Sequence, residues 1–134
     1  MSWSYSCPHC HVMLNPEKAV ILIAGEGPEL FLIGLHPEPG NYEVHLPPGV
    51  TPTPGNRWEF HCPACQRSLV TEEVEHLCAL DMESGGARHR VYFSPVAGEH
   101  ATFVLSAEGI RTNYGEDFMK YVREVGWGPQ PAPR

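Results

Sequence analysis

The sequence is short of positive charge. Its 134 residues carry nine Lys and Arg against sixteen Asp and Glu, a formal charge of -7 with His neutral. The deficit is spread along the chain: residues 1–66 hold two basic and six acidic side chains, residues 67–134 seven and ten. Contact with a phosphate backbone requires positive surface, so nucleic acid is not an expected partner. Long apolar runs are missing as well. The runs at residues 19–24 and 30–35 fall far below the ~20 residues of a membrane-spanning helix, and no membrane association is expected. The first six residues, Met-Ser-Trp-Ser-Tyr-Ser, have neither the basic cluster nor the apolar stretch of a secretory signal. A cytoplasmic location is the resulting expectation.

Catalytic patterns are also lacking. There is no H-E-x-x-H, phosphate loop or nucleophile elbow. Glu72, Glu73 and Glu75 read as a solvated face, and Glu99-His100 and Glu116-Asp117 suggest no acid–base arrangement. Cys78 has no recognisable base or oxyanion donor nearby in sequence and reads as a small buried strand residue.

What the sequence does contain is two C-P-x-C pairs, Cys7-Pro8-His9-Cys10 and Cys62-Pro63-Ala64-Cys65. In a reducing compartment such pairs point to metal rather than to disulfides. Two intervening residues let one tight turn aim two thiolates at one ion, and two turns complete a tetrahedral site of four sulfurs. The flanks repeat with the pairs. Trp3, Tyr5, Cys7, Cys10, Leu14 and Glu17 recur as Trp58, Phe60, Cys62, Cys65, Leu69 and Glu72, all displaced by the same 55 positions. The aromatics and the first cysteine alternate by two, which puts them on one face of a strand.

Over residues 3–17 and 58–72 the paired turns resemble a zinc ribbon and also rubredoxin, which uses the same turn for iron. The resemblance implies a left-handed residue just after the second cysteine of each turn, where both families usually carry Gly. Here His11 and Gln66 stand at those positions. It also implies that Cys7, Cys10, Cys62 and Cys65 hold a zinc ion, with iron as the alternative, since four-thiolate sites take both. His9, His11 and His61 crowd the cysteines and are candidates for a replacement ligand or for hydrogen bonds to the thiolates. Two rival readings of the first pair are weaker. C-P-H-C-H fits the attachment pattern of c-type haem, but this leaves the second pair unexplained. C-P-H-C also resembles the active site of thioredoxin-fold oxidases, which needs a long helix after the pair, and Asn15-Pro16 interrupts one.

The rest of the chain reads as mainly β. Residues 19–24 and 30–35 suggest a hairpin around a Gly-Glu-Gly-Pro turn. Tyr42, Val44 and Leu46 suggest a third strand with one wet face. Residues 47–55, with four prolines, suggest an irregular loop. Further strands are expected at 57–62, 74–82, 88–93, 100–105 and 109–113. Phe118, Tyr121, Val122 and Val125 recur at helical spacing. The expected fold is therefore a set of antiparallel hairpins with a zinc-ribbon-like clamp and one short C-terminal helix. Residues 1–127 form the expected single domain, and residues 128–134 a disordered tail. Four thiolates leave a tetrahedral ion no open position. The expected function is then non-enzymatic: a small structural-zinc protein acting through a protein partner or as a homodimer. The alternatives are a rubredoxin-like iron electron carrier or, less well supported, a CPHC thiol oxidoreductase.

Overall fold

The computed structural model describes residues 3–71, 74 and 77–121. The described residues form nine strands: β1 (Ser4–Ser6), β2 (Val20–Gly25), β3 (Phe31–Leu35), β4 (Val44–His45), β5 (Glu59–His61), β6 (Cys78–Ser84), β7 (Ala87–Phe93), β8 (Thr102–Ser106) and β9 (Arg111–Tyr114). They form two antiparallel sheets, in the orders β1-β6-β7-β8-β9 and β4-β3-β2-β5. Alternation explains how the sheets meet. In β2, Val20, Leu22 and Ala24 are buried while Ile21 and Ile23 face the other way, and in β6 Cys78, Leu80 and Met82 are buried on one face. These inward side chains join Ile33, Val91 and Val104 in one core between the sheets. Burying each large apolar side chain contributes about 1.5–3 kcal/mol.

The two sheets are built alike, from two halves of the chain that exchange their first strands. β1 opens the first half but pairs with β6 of the second, and β5 opens the second half but pairs with β2 of the first. The registers correspond residue by residue. Tyr5 faces Met82, and Phe60 faces Ala24. Val20 faces Leu35 and Cys78 faces Phe93 in the two hairpins. Leu35 faces Val44, and Phe93 faces Thr102. The displacement is 55 positions in the opening strands and 58 from β2 and β6 onward. The loops follow the same rule: Asn41 N donates to Glu38 O and Glu99 N to Val96 O, while Gly40 and Gly98 both take positive φ. The halves are thus related by an approximate two-fold, and each sheet depends on a strand from the other half.

The second half adds two features. β9 extends the sheet beyond β8, and a 3-10 turn at Phe118–Tyr121 then folds over the outer face of the five-stranded sheet. There Phe118 and Tyr121 pack with Val74, Leu77, Ala79, Tyr92 and Phe103 in a second core. Glu99 anchors the turn, accepting hydrogen bonds from Tyr121 Oη, from Ser94 Oγ at 2.7 Å and from Lys120 Nζ at 3.1 Å.

Three expectations need correction. The described part of the C-terminal helix is a 3-10 turn of four residues, pinned by the Asp117 N to His100 O bond and the return bond from His100 N to the Asp117 carboxylate. Val122, Val125 and the tail at 128–134 lie outside the described residues. The third strand shrinks to Val44–His45, because Tyr42 leaves the ladder to stack on His100 and bond Thr102. The strand expected from Val74 begins only at Cys78; Val74 is buried in the second core, and Glu72, Glu73 and Glu75 lie outside the described residues. Residues 47–55 contain no strand or helix, as expected. Among the described residues, no helix is long and apolar enough to cross a membrane.

Candidate metal centre

Each C-P-x-C turn grows out of an opening strand, and the repeated residues do the same work twice. Tyr5, Trp58 and Phe60 are buried beside the fully buried Cys7 and Cys62, and Trp3 packs against the same core. The aromatics and first cysteines therefore share one inward face, as their parity required. Leu14 N then donates to Tyr5 O and Leu69 N to Phe60 O, both at 2.8 Å, which fastens the far side of each turn back onto its strand.

Within the turns the correspondence is close. His11 N donates to Cys7 O at 2.9 Å and Gln66 N to Cys62 O at 2.8 Å. His11 and Gln66 take φ of 67° and 65°, the left-handed conformation that the resemblance implied despite the absence of Gly. That backbone aims amides at sulfur. His9 N and Cys10 N point at the Cys7 sulfur at 3.3 and 3.5 Å; Ala64 N and Cys65 N point at the Cys62 sulfur at 3.3 and 3.4 Å.

The exchange of strands brings the turns together. All four sulfurs of Cys7, Cys10, Cys62 and Cys65 lie within 4.8 Å of one another. The pairs across the two-fold are Cys7 with Cys65 at 3.8 Å and Cys10 with Cys62 at 3.7 Å. A tetrahedron with metal–sulfur bonds of ~2.3 Å has sulfur–sulfur edges of ~3.8 Å, so the donor set fits an ion of that kind. The separations far exceed the ~2.05 Å of a disulfide, and all five cysteines are free.

Protonation reinforces this reading of the cluster. Burial pushes the Cys7 thiol up to about 12, against the amides of Cys10 and His9. At Cys62 burial acts in the same direction, but the amides of Cys65 and Ala64 and the neighbouring thiols outweigh it and hold the group at about 7. One thiolate is accommodated near neutrality, while a second would lie against the first. A cation at the centre removes that conflict.

The histidines stand outside the cluster. His9 Nε2 lies 3.1 Å from Ser68 O and so ties the first turn to the second. The His61 ring lies between Gln66 O and Glu59 Oε1, each at 3.2 Å. His11 is exposed at its left-handed position. None of the three contributes an atom to the four-sulfur group. Cys78 is buried, and burial pushes its thiol up to about 12, the condition of an unreactive core cysteine.

Sequence reasoning did not connect Tyr42, His100 and Glu116. The His100 ring stacks on Tyr42, and its Nδ1 lies 3.0 Å from an exposed Glu116 carboxylate. This arrangement fastens the loop before β8 to the turn after β9. A signal did exist: Pro37 and Gly40 recur as Pro95 and Gly98 at the displacement of 58, which makes Tyr42 and His100 equivalent. Comparisons with family models, with curated proteins and with solved structures find no match for the chain.

Proposed function

We propose that this chain is a metal-clamped β scaffold. Cys7, Cys10, Cys62 and Cys65 hold one zinc ion on the approximate two-fold, and the protein acts by binding other protein surface. The observation that carries this reading is the four-sulfur group, with cross-turn separations of 3.7 and 3.8 Å, supplied in equal parts by two equivalent turns. Four thiolates saturate a tetrahedral ion and give the centre a net charge of about -2, so the ion neither binds water nor acts as a useful Lewis acid. Its contribution is to folding. A structural zinc site supplies on the order of 10 kcal/mol in small metallo-domains, and here it joins two halves that already exchange strands.

Iron in the same sulfurs is the second reading. The exposed Cys10 and the amides directed at Cys7 and Cys62 suit a one-electron centre. Elemental analysis and a visible spectrum of protein purified without chelator separate the two. One equivalent of zinc and no colour support the scaffold reading. One equivalent of iron with visible thiolate absorption overturns it in favour of electron transfer. No metal, with folding indifferent to chelator, overturns both.

A further inference from the structure

The core between the sheets is not filled at the end closed by the loops before β4 and β8. A cavity of about 150 Å³ lies there. Its walls are inward residues of both sheets: Val20 and Leu35 from one, Leu80, Val91 and Phe93 from the other. Its roof is a pair of equivalent loops, residues 36–43 and 94–101, so the cavity straddles the approximate two-fold.

The two halves line it unequally. In the second half Phe60 and Phe93 meet edge to face, with ring centroids 5.2 Å apart. Their equivalents in the first half are Tyr5 and Leu35. Leu35 has no ring to offer, and the Tyr5 hydroxyl is tied to Pro37 O at 2.6 Å. The space is where symmetry would have placed a second pair of rings. A dry void of this volume takes one benzene-sized ring.

The charges at the mouth have one sign. Glu38, Glu43 and Glu99 line the cavity, and among the described residues no Lys or Arg does. Glu99 is engaged by Tyr121, Ser94 and Lys120. Arg57 and Lys120 act on the Tyr121–Glu99 pair from outside the lining. The hydroxyls of Tyr42 and Thr102 satisfy each other at 2.9 Å. Glu38 and Glu43 are exposed at the rim, where His36 Nδ1 and Asn41 Oδ1 hold their backbone amides. An anionic ligand would therefore meet like charge on entry, and a cationic head would meet two carboxylates.

We infer that this cavity is a binding site for a small amine, its apolar body of about one ring seated between the sheets and its cationic head at Glu38 and Glu43. The inference goes beyond the scaffold reading and uses none of the four cysteines.

The test is titration of the full metal-loaded chain with three probes of one shape, phenethylamine, phenethyl alcohol and phenylacetate, followed by NMR chemical shifts. Phenethylamine should saturate with a Kd of about 1 mM or tighter. The alcohol should bind about tenfold more weakly, and phenylacetate more weakly still. Shifts should centre on Leu35, Phe93 and Thr102. Leu35→Phe supplies the ring that the second half has at Phe93, and filling the space should weaken the amine by about tenfold or more. Glu38→Gln with Glu43→Gln should bring amine and alcohol to within about threefold of each other and leave the alcohol unchanged. Metal content, measured in the same samples, reports on the clamp separately, so a failed site is distinguishable from a failed scaffold. Should Leu35→Phe not fold, the double Gln variant and the shift map of the unaltered chain give the answer. The inference is overturned if no probe saturates, if phenylacetate binds as well as the amine, or if the shifts centre elsewhere. A folded Leu35→Phe chain that binds the amine unchanged, or a double Gln variant that keeps the full preference for it, overturns it equally.

Discussion

Tyr42 and His100 stack face to face, with ring centroids 4.3 Å apart and planes 8° from parallel. They are equivalent residues of the two halves, so their contact lies across the approximate two-fold. The four cysteines do the same at the metal centre, where Cys7–Cys65 and Cys10–Cys62 are the same contact made twice. A single internal symmetry therefore organises both the clamp and the loops that close the core.

Equivalence of the turns predicts equivalence of their mutants. Cys7→Ser and Cys62→Ser should each abolish stoichiometric zinc binding, and each should forfeit most of the ~10 kcal/mol that a structural site supplies. The two thermal midpoints should agree closely with each other and with that of the unaltered chain in chelator. Metal content and calorimetry check this. A variant that loses metal but keeps its midpoint would refute the clamp.

Strain at the left-handed positions is separable from ligation. His11 and Gln66 are the two non-glycine residues with positive φ among the described residues. Such a conformation costs an L-residue about 1–2 kcal/mol, and Gly is free of that cost. His11→Gly and Gln66→Gly should each raise stability by up to about 1 kcal/mol, part of the gain being lost to the greater freedom of Gly in the unfolded chain. Chemical denaturation in the presence of metal measures it. A loss of stability at both sites would mean that the side chains contribute more than the strain.

The repeat was legible at residues 3–17 and 58–72, and with it the cluster of cysteines and the shared face of Trp3, Tyr5, Trp58 and Phe60. Its continuation was not. Three extra residues between Leu69 and Cys78, relative to Leu14 and Val20, shift the displacement from 55 to 58, and past that point the side chains share little beyond apolar parity. Leu22 with Leu80 and Pro37 with Pro95 are faint matches, while Gly34 with Tyr92 and His45 with Phe103 are not matches at all. Strand exchange was hidden for a different reason: β1 has the same alternation whether it pairs with β2 or β6, and only long-range packing selects between them. At the C-terminus the spacing was ambiguous: Phe118 and Tyr121, three apart, satisfy the observed 3-10 turn as well as an α-helix, and Val122 and Val125, which completed the helical pattern, lie outside the described residues.

The anchor of that turn should respond to acid. Burial alone would raise the Glu99 pKa, but hydrogen bonds from Tyr121, Ser94 and Lys120 outweigh it and hold the carboxyl below its ordinary value. A depressed folded pKa means that the stabilisation is fully present above the unfolded Glu value of ~4.3 and is lost as pH falls through the folded value. Tyr121→Phe removes one of the donors, so it should destabilise the chain by about 1 kcal/mol at pH 7 and by less as Glu99 protonates. Unfolding curves at pH 7 and under acid, compared in metal-free samples of both chains, test the sign. A difference that grows on acidification would contradict it.

The exchange of opening strands makes a prediction about chain cleavage. A cut within residues 47–55, the proline-rich loop, severs no strand and lies between the halves. Each fragment then lacks an edge strand of its own sheet and two of the four sulfurs: the first supplies β1 to the five-stranded sheet, the second supplies β5 to the four-stranded one. Neither should fold alone, since each would leave one side of the core and half of the metal site open. Mixed with zinc, they should form a one-to-one complex with one ion, because the two-fold contacts then run between the fragments and each fragment supplies two of the four thiolates. Chelator should dissociate that complex, whereas in the intact chain it should only lower the unfolding midpoint, since the loop keeps the halves at high effective concentration. Circular dichroism of the separate fragments and sedimentation of the mixture decide the matter. Two fragments that each fold independently, or that associate equally well without metal, would show that the halves do not depend on exchanged strands and shared sulfurs.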